Sequence, residues 1–118
     1  MKSDNNTGLI KPNSLFYLLI FLCCRTWSAT PIFEIQIKDH LFIPNEIEVP
    51  ANTKVKLIIV NNDPTPEEFE SYELNRERVI VGNQKATIFI GPLKPGEYTF
   101  FGEFHSDRAL GKIIVLEH

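Results

Sequence analysis

The chain has 118 residues with 12 basic and 15 acidic side chains, which give a net charge of −3 at pH 7. This length fits one domain, and the acidic balance argues against nucleic acid and anionic lipid as partners, because both are polyanions. The sequence has only two cysteines, the adjacent Cys23 and Cys24. A disulfide framework is therefore excluded as the source of stability.

An apolar run, LFYLLIFLCC, covers residues 15–24. Lys2 and Lys11 precede it and small residues follow it, which is the pattern of a secretory signal peptide. We predict a signal peptide over residues 1–29 and an exported domain over residues 30–118, with an uncleaved anchor or a lipoprotein as alternatives. Removing residues 1–29 leaves nine basic and 14 acidic side chains, no cysteine and no methionine.

The first predicted strand begins at Ile32, where apolar and polar residues alternate and Ile35 and Ile37 share one face. Asp39 and His40 end this strand. A bulge or kink is predicted at residues 42–44, because proline cannot donate to a central ladder. An edge-like strand follows at residues 47–50. Further short strands are predicted at residues 55–60, 67–74, 79–81, 86–90, 98–101 and 112–116.

Turn residues separate these strands, and no stretch shows sustained helical periodicity. Short strands with frequent turns are typical of two packed antiparallel sheets. The sequence therefore predicts an all-β protein, a Greek-key β-sandwich of about seven strands. A barrel with the same strands is the structural alternative.

The last two strands flank a loop with side chains that can bind a metal ion, namely Glu103, His105 and Asp107. The hairpin reads Tyr98-x-Phe100-x-Gly102-x-x-His105 and continues as LGKI over residues 110–113. This pattern resembles the cupredoxin signature, in which a strand ends in Cys, a His and a Met follow, and a glycine opens the last strand. Residues 61–69 resemble the segment that carries the first His ligand of that family. The resemblance covers residues 32–118 and implies a cupredoxin-like fold.

This sequence departs from the signature at three ligand positions. It has Gly102 in place of Cys, Glu67 in place of the first His and Leu110 in place of Met. A blue-copper site needs a thiolate and two imidazoles, so type 1 electron transfer is excluded.

The acidic replacements resemble those of cupredoxin-like domains in bacterial iron-uptake systems, including EfeO-type periplasmic proteins and companions of ferrous-iron permeases. The resemblance implies a periplasmic protein that binds iron or copper, assists iron uptake and works beside an iron permease complex in the inner membrane. The leading candidate ligands are Glu67, Glu103 and His105. The secondary candidates are Glu68, Glu70, Glu73 and Asp107.

Several alternatives stay open for these residues. Strand parity places Glu68 and Glu70 opposite Phe69, so both can be solvated surface residues. His105 can be a hydrogen-bonded loop residue, and for His40 that interpretation is favoured over a second metal site. The acids can also pair with arginines without a metal.

The same acidic residues also fit a second function, an acidic docking module that binds a membrane or periplasmic partner without a metal. No nucleophile motif is present to predict an enzyme, although oxidation of ferrous iron stays open.

Overall fold

The computed structural model describes residues 29–117. The predicted signal peptide, apart from Ala29, and the terminal His118 lie outside the described residues. The described part contains nine strands and one 3₁₀ turn, Glu103–His105. The strands are β1 Ile32–Lys38, β2 Leu41–Ile43, β3 Glu46–Pro50, β4 Val55–Asn61, β5 Glu67–Ser71, β6 Arg76–Ile80, β7 Lys85–Ile90, β8 Gly96–Gly102 and β9 Leu110–Leu116.

The strands form a four-stranded sheet in the order β2-β1-β4-β7 and a five-stranded sheet in the order β3-β9-β8-β5-β6. Both sheets are mixed, because β1 runs parallel to β4 and β3 runs parallel to β9. The predicted all-β sandwich is confirmed, and β3 lies at a sheet edge as expected. Among residues 29–117, no helix is long and apolar enough to cross a membrane.

The largest difference from the sequence prediction concerns residues 41–43, which form the strand β2 rather than a bulge. This strand pairs antiparallel with the end of β1, and Lys38 faces Leu41 in the register. Only Asp39 and His40 remain to connect the two strands. The bounds of β6 also differ, since it begins at Arg76, three residues before the predicted start.

One apolar core receives side chains from both sheets. In β4, burial alternates along the strand, so Val55, Leu57 and Ile59 point inward. An aromatic group at its centre joins Phe42 of β2 to Phe69 and Phe100 of the other sheet. Ring centroids lie 5.0 Å apart for Phe42–Phe100 and Phe69–Phe100. Burial of each such ring stabilises the fold by about 1.5–3 kcal/mol.

Two arginines of β6 join the outer strands of the two sheets. The side chain of Arg76 donates to the carbonyl oxygen of Phe89 at 2.9 Å, and that of Arg78 donates to the carbonyl oxygen of Thr87 at 3.0 Å. Both acceptors belong to β7, an edge strand whose free carbonyls would otherwise face solvent. Within the described residues these arginines therefore bind backbone oxygens rather than the acidic side chains.

Buried polar side chains mark one end of the sandwich. Four polar or charged side chains are buried among residues 29–117, and three of them, Asn61, Asp63 and Glu67, lie at the end of β4, the start of β5 and the loop between. Hydrogen bonds connect this segment to the β1–β2 turn and to the 3₁₀ turn. Because buried polar groups are costly unless they are bonded, this end is the place to look for a functional site.

Candidate metal centre

Three side chains from distant parts of the sequence converge at this end of the sandwich. His40 lies in the β1–β2 turn, Glu67 begins β5 and His105 ends the 3₁₀ turn. One ligand atom from each lies within 4.8 Å of those from the other two. Two imidazoles at this spacing can bind a transition-metal ion, whose bonds to nitrogen are about 2.0–2.1 Å long, beside a carboxylate that supplies negative charge.

Glu67 is the most buried member of the group, with 1% of its surface exposed. Its Oε1 accepts the backbone N–H groups of Glu68 and Phe104, each at 2.9 Å. Its Oε2 accepts the Nδ1–H of His105 at 2.8 Å. A buried carboxylate is tolerated only when such bonds replace its hydration. The same bonds fix the direction of the carboxylate and tie β5 to the 3₁₀ turn.

The space for this carboxylate exists because residue 102 is glycine. A Cβ atom at Gly102 would lie 2.7 Å from Cδ and 2.8 Å from Oε2 of Glu67, and 2.7 Å from the Cβ of Ala109. The cupredoxin signature that this sequence resembles has Cys at that position. The carboxylate of Glu67 therefore occupies the space that the side chain of a cysteine at position 102 would need.

The two histidine rings lie face to face. Their centroids are 3.6 Å apart and their planes differ by 15°. Nδ1 of His105 is bonded to Glu67, and Nδ1 of His40 lies 3.6 Å from Oδ2 of Asp63, too far for a hydrogen bond. Within residues 29–117, neither Nε2 atom has a hydrogen-bond partner, so both are available to an ion. A carboxylate on one ring nitrogen with a metal on the other is a common arrangement at histidine sites.

Asp63 supports the turn that carries His40. Oδ1 accepts the backbone N–H of Asp39 at 2.8 Å and Oδ2 accepts that of His40 at 2.9 Å. Burial alone would raise the pKa of Asp63, but these two hydrogen bonds and the nearby charges of His40 and Lys38 outweigh it. The pKa is held below its ordinary value of 3.8, so the side chain is an anion at neutral pH.

The structure brings together only some of the ligands that the sequence predicts. Glu67 and His105 are brought together. Glu103 and Asp107 are exposed, in the 3₁₀ turn and in the loop after it, and belong to neither group of metal-capable side chains found among the described residues. Glu73 accepts the N–H and the hydroxyl of Thr99, both at 2.7 Å, and these bonds lower its pKa.

Glu68 and Glu70 lie on the outer face of β5, opposite Phe69, as strand parity predicts. They form a second acidic group with Glu77, which faces Glu70 directly across β5 and β6. Partial loss of hydration and then the charge of Glu77 raise the pKa of both residues above the ordinary 4.5. Mutual repulsion without buried partners is typical of a solvated acidic face.

His40 is the site residue that sequence reasoning set aside. It precedes Glu67 by 27 positions, and its place in the fold depends on β2, which was predicted as a bulge. The signal that could have identified it is the pair Asp39-His40 between two runs of strand-forming residues, because a two-residue connection predicts a tight hairpin. In such a hairpin the turn side chains lie at the sheet end, beside the other loops.

The donor set determines which metals fit. Two imidazole ligands beside a carboxylate suit Cu(II), Zn(II) and other borderline ions, whereas Cu(I) prefers thiolate and thioether ligands. The sequence has no cysteine or methionine beyond residue 24. Among divalent first-row ions, Cu(II) has the highest general affinity for such donors. The described residues therefore fit a copper(II) ion and do not fit a blue-copper centre.

Comparison with protein families identifies the relatives of this chain. The family model described as "Cupredoxin-like domain" matches residues 13–115. The uncharacterized protein RP394 of Rickettsia prowazekii (strain Madrid E) is 54% identical over 82 residues, which make up 70% of this chain and 66% of that protein. The matched part thus spans slightly less than two thirds of that relative.

Solved structures with the same architecture include copper proteins. The metal-binding domain of the Cu(I)-exporting P-type ATPase CopA from Streptococcus pneumoniae D39 aligns with a TM-score of 0.66 and 17% identity, over 77% of this chain and 92% of that one. Auracyanin A, a blue copper protein from Chloroflexus aurantiacus, aligns with a TM-score of 0.64 and 14% identity, over 75% and 100%. At these identities the likeness establishes the fold.

Proposed function

Because this chain belongs to the cupredoxin-like domain family, we propose that it is a copper-binding protein that holds Cu(II) through the imidazoles of His40 and His105, with Glu67 as the buried carboxylate that orients His105. The observation that carries the proposal is the convergence of these three side chains within 4.8 Å at one end of the sandwich. Two structural neighbours, a copper-exporter domain with Cu(I) and a blue copper protein, support the choice of metal. The donor chemistry supports Cu(II) over Cu(I).

Each residue would contribute in a distinct way. The Nε2 atoms of His40 and His105 are the free donors, and their Nδ1 atoms face carboxylates. Glu67 supplies negative charge beside the ion and orients His105 through its hydrogen bond. The bound ion would supply Lewis acidity and a one-electron couple, and carboxylate charge stabilises its more oxidised state.

The test is titration of the protein from Thr30 onward, which retains all nine strands, with Cu(II), Zn(II), Mn(II) and Fe(III). We expect one Cu(II) per chain, bound at least about tenfold more weakly by each of His40→Ala, His105→Ala and Glu67→Gln, a loss of about 1.4 kcal/mol. The control variant is Glu103→Gln, an adjacent acid outside the group, which should bind as the parent does. If Glu103→Gln lost copper binding while His40→Ala bound fully, the loop acids rather than our proposed residues would be the ligands.

A more specific part of the proposal concerns the cellular location of the protein and its role in iron acquisition. We propose that the protein is exported and assists iron acquisition beside an inner-membrane iron permease, with Fe(III) as a second ion of the same site. The negative charge of Glu67 beside the site supports this, since it favours Fe(III) over Fe(II), as does the signal-like run at residues 15–24. Cells that lack the protein should accumulate less iron. Unchanged iron accumulation would rule out the proposed role in iron acquisition without affecting the proposal of copper binding.

A second candidate function is an acidic docking module, favoured by the outer-face group Glu68, Glu70 and Glu77. Capture of a permease subunit that persists in a chelator and weakens with rising salt would support it, because exposed charges are screened. Capture that requires the metal would instead assign docking to the loaded site.

A further inference from the structure

The β1–β2 turn has a backbone conformation that histidine rarely adopts. Only Asp39 and His40 connect the paired residues Lys38 and Leu41, and their φ angles are 52° and 62°. Positive φ at both central residues is what a type I′ turn requires, and glycine is strongly preferred at the second position. A side chain there costs about 1 kcal/mol in left-handed strain. Glycine at position 40 would adopt this positive φ without strain, so the presence of histidine suggests that its imidazole has a function.

Two side chains form hydrogen bonds with the backbone of this turn. The carboxylate of Asp63 accepts the backbone N–H groups of both turn residues, Asp39 and His40, at 2.8 and 2.9 Å. A guanidinium nitrogen of Arg108 donates to the carbonyl oxygen of Asp39 at 3.2 Å. Asp63 is 5% exposed, whereas the turn residues are at the surface. Asp63 is therefore the more rigid partner in its hydrogen bonds with the turn.

Asp63 is itself held rigidly. Its N–H donates to Oδ1 of the buried Asn61 at 3.0 Å, and its carbonyl oxygen accepts the N–H of Asn83 at 2.9 Å. Gly82 packs so closely against this loop that a Cβ atom there would collide with the carbonyl oxygen of Pro64. The position of Asp63 is therefore set by β4 and by the β6–β7 connection rather than by the turn.

We infer that Asp63 is a positioning residue that holds His40 over His105 and so sets the metal site in place before an ion binds. That the positioned histidines bind an ion rests on the proposed function, whereas the hydrogen bonds that place His40 do not. Asp63 reaches the backbone of His40, while Glu67 reaches the ring of His105 directly. Each histidine thus has its own buried carboxylate, and the 3.6 Å ring stack is the result.

The experiment compares Asp63→Asn with wild type and with His40→Ala. The amide keeps the size of the side chain but offers one acceptor in place of two, so one turn N–H loses its partner. The control is Asp39→Asn, which removes one negative charge beside His40 and leaves both acceptors of Asp63 in place. If Asp63→Asn does not fold, Asp63→Ser, which retains one hydroxyl acceptor, takes its place with the same expected results.

Two measurements are made on each protein. Without metal, proton NMR follows the ring-current shifts of the His40 ring, which should be upfield in wild type and Asp39→Asn and should move toward free-histidine values in Asp63→Asn. With Cu(II), titration should show affinity lowered about 10- to 100-fold in Asp63→Asn. The electron paramagnetic resonance spectrum should then show coupling to one imidazole nitrogen instead of two, as for His40→Ala. The double variant Asp63→Asn/His40→Ala should bind no more weakly than His40→Ala alone.

The outcomes separate this inference from the proposed function. An unchanged ring shift, or two-nitrogen coupling at wild-type affinity in the variant, overturns the positioning role. If wild type binds no Cu(II) but the ring shift still collapses in Asp63→Asn, the positioning role stands and the copper function fails. A further loss of affinity in the double variant would show that Asp63 acts on the site by some route other than His40, which also overturns the inference.

Discussion

Gly102 and Glu67 depend on each other. The carboxylate of Glu67 lies where a Cβ atom at position 102 would project, and its three hydrogen bonds require it to stay there. A single change at either position therefore cannot restore the cupredoxin ligand pattern. A cysteine at position 102 would collide with the carboxylate unless Glu67 were replaced as well.

We predict that Gly102→Ala displaces the carboxylate of Glu67. The added methyl overpacks a closed site, so the free energy of unfolding should fall by about 1–3 kcal/mol. The affinity for Cu(II) should fall as well, because His105 loses its orienting partner. Urea unfolding and metal titration measure the two effects.

The double variant Gly102→Ala/Ala109→Gly serves as the control. It makes room on the side of Ala109 but leaves the clash with Glu67, so it should regain part of the stability and none of the copper affinity. Recovery of both properties together would mean that the contact with Ala109, rather than Glu67, dominates at this position.

The β1–β2 turn is an element in which stability and function oppose each other. Replacing His40 with glycine removes the strain of φ 62°, worth about 1 kcal/mol. It also removes the ring stack on His105, worth about 0.5–1.5 kcal/mol. We therefore expect His40→Gly to leave the free energy of unfolding unchanged within about 1 kcal/mol while copper affinity falls about tenfold or more.

The control for this turn variant is Asn75→Gly, in the β5–β6 connection with a φ of 56° and no place in the metal group. It should change stability by a similarly small amount and bind copper as wild type does. A large loss of stability in His40→Gly would show that the ring holds the turn together, and would reverse the relation between strain and function that we describe.

The β5–β6 pair carries an unfavourable contact between like charges. Glu70 faces Glu77 across the ladder, and partial loss of hydration together with that charge raises the pKa of Glu70. An acid with a raised pKa in the folded state binds its proton more tightly when folded. Its cost to stability is present above the folded pKa and disappears as the pH falls toward the unfolded value near 4.5.

We predict that Glu77→Gln is slightly more stable than wild type at pH 7 and that this gain disappears below about pH 4.5. Urea midpoints at a series of pH values measure it. Glu48→Gln, an exposed acid of β3 that is not among the charges acting on Glu68 or Glu70, provides a comparison with the same loss of charge. A gain of equal size in both variants would assign the effect to overall net charge instead.

For the molecule as a whole, the fold class was predictable from the sequence, whereas the strand β2 and the assembly of the site were not fully so. Alternation and turn residues were enough to predict the sandwich. They also placed Glu67 on the face of Phe69, because parity within one strand is a local property. Glu103 was paired with His105 through chain proximity, but the 3₁₀ turn exposes Glu103 to solvent. His40 was considered only for a second site and set aside, because its position depends on the pairing of β1 with β2, a contact that residue types alone do not determine.

The proposed ion would join the two sheets. His40 belongs to the hairpin of the four-stranded sheet, whereas Glu67 and His105 belong to the five-stranded sheet and its loop. An ion that binds only the folded arrangement stabilises it by mass action, by about 2.7 kcal/mol at a free concentration one hundred times Kd. We predict that Cu(II) raises the melting temperature and slows hydrogen exchange in β2, and that a chelator reverses both.

The variant His40→Gly tests the joining of the sheets directly. Any ion that it retains is held by ligands of the five-stranded sheet alone, so the exchange of β2 amides should be insensitive to copper even at concentrations that saturate the variant. If β2 were protected equally in wild type and variant, the ion would not act through His40. If neither protein were stabilised at saturating copper, binding would occur on the unfolded chain as strongly as on the folded one, and the converging residues would not form a specific site.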